Sequence, residues 1–334
     1  MSVADGALHE RSAATMPIPH RVGVHCGSSA IRDMIEFHGT TLSEAFCFGL
    51  GSGLGITYLE LPGTPIPFMV HVRSLGFEER VFECFEPRQS WQQFESRDAA
   101  DEALARRLDC GKPALLLTDI FHLPYYGSKT HFPGHAIVAW KRDTARNEVF
   151  VTDTEREELL RVPTENLSKA RFSVLAPFLH PGNMYSPDGM TPRGNLVDDA
   201  ISAIRTNAQM LDTDHGAAGL GALSLWREKL TDWAAHPEWR WICRFAYQVI
   251  EKRGTGGGGF RGMYSRFLEE VAARHPFAGV LVKPMQECAQ EWTALSRSLK
   301  AASEADALPL ADIRERLLSV EVTERRYVEL ATKL

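Results

Sequence analysis

Val24-His25-Cys26-Gly27-Ser28-Ser29-Ala30-Ile31-Arg32-Asp33-Met34 places a cysteine straight after a short apolar run and at the head of a helical pattern. Ala30, Ile31, Met34, Ile35 and Phe37 recur at the spacing of one buried helix face. Gly27, Ser28 and Ser29 are residues that open helices, and Gly39 suits a stop. A thiol at that position feels the partial positive charge of the helix N-terminus, which favours the thiolate. A buried structural thiol is the commoner fate of a lone cysteine. On this stretch alone nucleophile and core thiol are evenly balanced, and the decision lies further along the chain.

The 334 residues are 44% hydrophobic, enough for a packed core and more naturally two domains than one. A net charge of −6 leaves no surplus of Lys and Arg to neutralise phosphates, so nucleic acid is not an expected partner. Cys26, Cys47, Cys84, Cys110, Cys243 and Cys288 form no C-x-x-C pair, which suggests neither a zinc ribbon nor a disulfide framework. Residues 1–19 carry Asp5, Glu10 and Arg11 and read as a flexible leader without a signal peptide's apolar centre. No apolar run reaches the roughly 18 residues of a membrane span. The expectation is a cytoplasmic protein with reduced thiols and no membrane partner.

A helix start at Thr40–Ala45 runs into Gly49-Leu50-Gly51-Ser52-Gly53-Leu54-Gly55, too glycine-rich to continue as a stable helix. No Lys-Ser/Thr follows it, so a tight crossing beside the Cys26 helix is favoured over a phosphate loop. Residues 56–61 and 67–72 read as strands, 90–109 as an amphipathic helix, and 113–119 as a buried strand. Two further strands, 135–140 and 148–153, are joined by a turn at Asn147, and 172–175 suggest a last one. Residues 181–196, rich in Pro and Gly, read as a linker. Beyond it, 197–212, 217–234, 238–253, 260–274, 278–302 and 309–331 all carry helical periodicity. The expected fold is therefore α+β with an antiparallel sheet over 20–180, followed by an all-α domain over 197–334.

A thiol nucleophile needs a base within reach, and the base needs a third group to hold its orientation. His135 opens one strand and Asp153 closes the next. In an antiparallel hairpin the start of one strand lies beside the end of its neighbour, which brings these two together. Taken singly, His135 reads as a half-buried histidine and Asp153 as a turn residue. Taken with Cys26, they make a Cys-His-Asp triad in the chain order of papain-like folds.

Other constellations carry less. His131 and His135 are four apart, but Pro133 and Gly134 forbid the helix that would align them as zinc ligands. Asp119, His122 and His131 are weighed as metal ligands and set aside, so no metal is expected. His25 reads as structural or substrate-facing, and the other five cysteines default to core or surface thiols. The run Gly254-Thr255-Gly256-Gly257-Gly258-Gly259 precedes a helix and is flanked by Lys252, Arg253 and Arg261. A close contact that admits only glycine is favoured there over a phosphate site, because the preceding element is a helix. Trp233, Trp239 and Trp241 read as core.

At these residues the sequence resembles a known family. His25–Ala30, Gly39–Ala45, Phe48–Leu54, Leu123-Pro124-Tyr125 and Gly134–Val138 are similar to the N-terminal domain of the butirosin biosynthesis protein H family. Gly254–Arg261 with Tyr264 and Phe267–Glu270 resembles the helical domain that often follows. The resemblance implies a papain-like or C39-like cysteine fold used for acyl transfer in natural-product biosynthesis. By carry-over, Cys26 takes the acyl group from an acyl carrier protein thioester, His135 moves the protons and Asp153 orients His135. The acceptor is a small-molecule amine or hydroxyl. No cofactor is bound directly; the donor's phosphopantetheine arm brings the acyl group. C39-like enzymes place a Gln shortly before the nucleophile for the oxyanion hole, and no Gln precedes Cys26. The Cys26 backbone N–H supplies one donor, and His20 or Tyr125 are candidates for the second. Lys252, Arg253, Arg261 and Arg266 are the candidate carrier-docking patch. Two alternatives remain: a cysteine hydrolase (thioesterase, amidase or peptidase) on the same triad, and a non-catalytic binding or scaffold protein. A homodimer is left open.

Overall fold

In the computed structural model, which describes residues 18–64, 67–173 and 181–334, the apolar face after Cys26 forms α1 (Cys26–Phe37). α2 (Glu44–Leu50) starts at Ser43, whose hydroxyl accepts from the Phe46 N–H at 2.9 Å. The glycines after it are a tight crossing, as the sequence suggests. A Cβ on Gly49 would lie 2.1 Å from the Phe267 ring, and one on Gly55 2.5 Å from the backbone of Arg73. A hairpin follows, β1 (Leu54–Glu60) with β2 (Phe68–Arg73), then the short α3 (Phe77–Phe82) and β3 (Phe85–Glu86).

The helix expected over 90–109 is the shorter α4 (Arg97–Asp109), because Ser96 caps it and Gln92 instead bridges to Met184. β4 (Ala114–Thr118) is buried throughout, as its unbroken apolar run requires. β5 (His135–Asp143), β6 (Glu148–Asp153) and β7 (Arg156–Pro163) form a meander. β7 is not among the strands expected from the sequence, since as an edge strand it keeps most side chains partly in water and lacks an apolar run. α5 (Thr164–Arg171) ends at Phe172; of the strand expected over 172–175, Val174 and Leu175 lie outside the described residues, as do residues 1–17 of the leader.

Residues 181–196 are not a free connector. β8 (Met184–Tyr185) pairs with β4 as an outer strand of the main sheet, and β9 (Thr191–Pro192) pairs with β3. Asn183 and Ser186 are buried, and Arg107 grips this segment through Ser186, Pro187 and Asp188. The main sheet is antiparallel in the order β7-β6-β5-β4-β8. α1 covers one face; Leu104 and Leu108 of α4 and Leu167 and Ala170 of α5 pack on the other.

The helical half follows the expected periodicity closely: α6 (Leu196–Leu211), α7 (Gly219–Ala235), α8 (Trp239–Glu251), α9 (Arg261–Ala272), α10 (Val282–Ala302) and α11 (Leu310–Ala331). The fold is α+β, with antiparallel sheets in the first half and helices through most of the second. One hydrophobic core runs from α1 through the β1–β2 hairpin to Tyr327 and Val328 of α11. At its centre, Arg261 and Glu324 form a fully buried ion pair at 2.6 Å. Arg261 also donates to the carbonyls of Gly55 and Val72, and the Trp292 indole donates to Glu324 at 2.7 Å. The pair therefore ties α9, α10 and α11 to the hairpin of the first half.

Candidate active site

Cys26 owes its position to the way α1 begins. His25 is the N-cap, in extended conformation, and its Nδ1 accepts from the Ser28 N–H at 3.2 Å. The Glu44 carboxylate reaches over from α2 and accepts from the N–H groups of Val24 (3.0 Å) and His25 (2.7 Å). Among the described residues the N–H groups of Cys26 and Gly27 have no hydrogen-bond partner, which leaves donors at the nucleophile itself. The His25 ring is boxed edge-on by Phe48, Phe77 and Phe260. Burial, with Arg73 and His71 adding repulsion, pushes its imidazole well below the ordinary histidine range. His25 is thus a neutral cap.

The structure brings Cys26, His135 and Asp153 together. His135 Nε2 donates to Asp153, at 2.8 Å from Oδ1 and 2.9 Å from Oδ2, while the Cys26 sulfur interacts with the same imidazole. Register explains the meeting: Val138 pairs with Thr152, so the start of β5 runs beside the end of β6. Thr118 Oγ1 donates to the His135 carbonyl at 2.9 Å and pins the strand's first residue. Asp153 also accepts from Tyr125 Oη and from the Thr154 N–H, both at 2.7 Å.

The electrostatics follow from these contacts. Burial opposes charge on His135, but the Asp153 carboxylate, helped by Cys26, outweighs it and raises the imidazole to about 10. Burial pushes the Cys26 thiol up; His135, the Ala136 backbone and Arg73 outweigh it and leave the thiol below its ordinary value. Asp153, despite its burial, is held below the usual carboxylate range by His135, Tyr125 and Thr154. His135 is therefore held protonated at neutral pH, beside a thiol whose ionisation it eases. The other thiols contrast: burial alone drives Cys243 up to about 12, and Cys47 and Cys288 also rise.

Two oxyanion candidates fall away. His20 bonds Asp33 at 2.5 Å and the Arg156 carbonyl at 2.7 Å, so both ring nitrogens are engaged in the seam between α1 and β7. Tyr125 spends its proton on Asp153. Sequence reasoning did not find Tyr126, whose hydroxyl lies 3.2 Å from His135 Nε2; its place in a loop between strands gave no periodic signal.

Residues 25–154 match the family model described as butirosin biosynthesis protein H, N-terminal, and residues 165–331 match a domain of unknown function, DUF4872. The chain belongs to the butirosin biosynthesis protein H family. No curated protein matches it. The first match begins at the His25 cap and ends at Thr154, whose N–H holds Asp153, so the whole Cys-His-Asp cluster lies inside it. The second match begins at 165, ahead of the 181–196 stretch, and takes in α5 and β8. The family marks the chain as a biosynthesis-related protein. Among the described residues no helix is long and apolar enough to cross a membrane.

The glycine run of the second half lies against the nucleophile segment. A Cβ on Gly254 would sit 3.1 Å from the Val24 carbonyl oxygen, and Gly254 and Gly256–Gly259 all have positive φ, which explains the residue choice. The Gly258 N–H donates to Glu251 at 3.2 Å, so the loop is internally bonded, in keeping with the close-contact reading. Lys252, Arg253 and Arg266 are exposed beside it, whereas Arg261 is wholly buried on Glu324 and is not part of a surface patch.

Proposed function

We propose that this protein is a cysteine-dependent acyltransferase of natural-product biosynthesis, with Cys26 as nucleophile, His135 as acid–base and Asp153 as the group that orients it. The observation that carries the reading is the buried thiol–imidazole–carboxylate chain at the head of α1, with the imidazole raised and the thiol lowered from their ordinary values. The Cys26 thiolate attacks the carbonyl carbon of an acyl thioester on a carrier protein's phosphopantetheine arm. The oxyanion forms beside the free N–H groups of Cys26 and Gly27. Collapse breaks the donor C–S bond, and the leaving thiolate takes the proton from His135. An amine or hydroxyl acceptor then attacks the acyl–Cys26 thioester and gives its proton to His135, which regenerates the ion pair. Lys252, Arg253 and Arg266 form the cationic face on which an acidic carrier would dock.

The test is to incubate the protein with a panel of acylated carrier proteins, with and without candidate amines, and to weigh intact protein and products. An acyl mass on Cys26 that only an acceptor discharges supports transfer. An adduct lost equally fast without acceptor assigns a hydrolase. No adduct from any donor, together with a Cys26 inert to iodoacetamide at neutral pH, assigns a binding or scaffold role and rejects the enzyme.

A further inference from the structure

Asp119, His122 and His131, set aside as metal ligands on the sequence alone, converge at the end of β4. One donor atom from each lies within 4.8 Å of the other two. Asp119 is the N-cap of a single 3-10 turn, Ile120–His122, which fixes His122 at a spacing of three. Its Oδ1 accepts from the N–H groups of Phe121 (3.1 Å) and Phe132 (2.8 Å), and its Oδ2 from Ser173 Oγ (2.5 Å). The carboxylate is thereby held in place, as a ligand's partners hold it. His131 Nδ1 lies 2.6 Å from Oδ2, and its ring stacks on Phe121 at 4.0 Å. The His122 ring stands 5.8 Å from that of His131.

We infer that Asp119, His122 and His131 form a binding site for a divalent transition-metal ion of the zinc class. Two imidazoles and one carboxylate are the donor set that suits such an ion rather than magnesium or calcium. Ligand atoms on one tetrahedral zinc are about 3.3 Å apart. The cluster reaches that spacing by a small opening of the Asp119–His131 contact and a swing of the partly exposed His122 inward. Asp119 is fully buried while the His131 side chain is 41% exposed, so the site has a rigid floor and an open side for entry and for solvent ligands. The nearby cations do not block it: Lys169 is paired with Glu165 at 3.0 Å, and Arg97 lies over the Phe172 ring. An ordinary Asp119–His131 hydrogen bond would not need His122, and that separates the two explanations.

An ion here joins both ends of the 119–131 segment, which carries Tyr125 and Tyr126 to Asp153 and His135. The experiment uses tag-free, chelator-stripped full chain carrying Cys26→Ala, so that the thiolate cannot bind the probe. Zinc is titrated by calorimetry and cobalt by visible absorption. The expected result is about one equivalent bound, with affinity reduced at least about tenfold by His122→Ala and by His131→Ala taken separately. Unchanged thermal unfolding of the metal-free variants shows that both still fold. No saturable binding, or binding that survives either change undiminished, overturns the site. Because Cys26 is absent throughout, neither outcome bears on acyl transfer.

Discussion

Asp153→Asn isolates the charge in the cluster while keeping its shape. In the wild type the carboxylate, buried and held by Tyr125 and Thr154, is the chief influence that raises His135 to about 10 against its burial. An amide can still accept from Nε2 but carries no charge. Burial then acts almost unopposed and His135 titrates below the ordinary histidine value. The sign follows: the wild-type imidazolium persists until pH rises through about 10, whereas in the variant it is lost before neutrality. Cys26 loses its counter-ion and its thiol rises. A hydrogen bond between charged partners is worth about 1.5–3 kcal/mol, or roughly 10- to 150-fold in thiolate population. The assay is the rate of iodoacetamide alkylation against pH, read by intact mass. Wild-type Cys26, its thiol held below the ordinary value, should react faster at pH 6 than an ordinary thiol, which is only roughly 0.3% thiolate there. The variant should lag by that factor at pH 6–7 and catch up above about pH 9. Superimposable pH–rate curves would refute the ion-pair argument.

Cys26→Ala should abolish acyl transfer and His135→Ala should be nearly as damaging, with Asp153→Asn less so than either; equal activity in all three, measured as product per time, rejects the assignment. Glu324→Gln leaves the Arg261 charge buried without a counter-ion. It should cost about 3–5 kcal/mol in urea unfolding, whereas the joint replacement Arg261→Met with Glu324→Leu should recover much of that. Phe260→Ala removes a ring stacked on Phe48 at 4.8 Å and edge-on to His25 at 5.1 Å. A loss of about 3–5 kcal/mol is expected, and alkylation of Cys26 should slow in the still-folded fraction; unchanged reactivity would separate the helical half from the site.

The Cys-His-Asp cluster was legible because each member marks the end of a regular element: a cysteine before a helical stripe, a histidine opening a strand, an aspartate closing the next. Local pattern locates such ends, and antiparallel pairing supplies the proximity. The helices of the second half were legible for the same reason, since Gly and Pro punctuate long periodic runs. What escaped depends on contacts distant in sequence. β7 looks solvated because it is an edge strand. The 181–196 stretch looks like a linker because Pro, Gly and Ser carry no periodicity, yet Arg107 and β4 bury part of it. Tyr125 reads as an oxyanion donor because nothing in the loop sequence says that its hydroxyl meets Asp153 and not the substrate. Arg261 reads as surface charge in the sequence, because the Glu324 that neutralises it lies 63 residues on.

The helical half belongs to the same machine as the nucleophile. α1 begins behind His25 as a neutral cap, and the burial that chiefly keeps it neutral comes from an aromatic box with one wall from each of α2, α3 and the segment before α9. The third wall, Phe260, holds a left-handed φ of 72° at the end of the glycine run. Such a conformation is costly for a non-glycine residue and persists only where its surroundings hold it. Arg261, the next residue, is locked to Glu324 and to carbonyls of β1 and β2. The strain at Phe260 is thus balanced between the buried ion pair on one side and glycines that admit Val24 on the other. A cysteine half without its helices would keep the sequence of the triad and lose a wall of the cap that aims it.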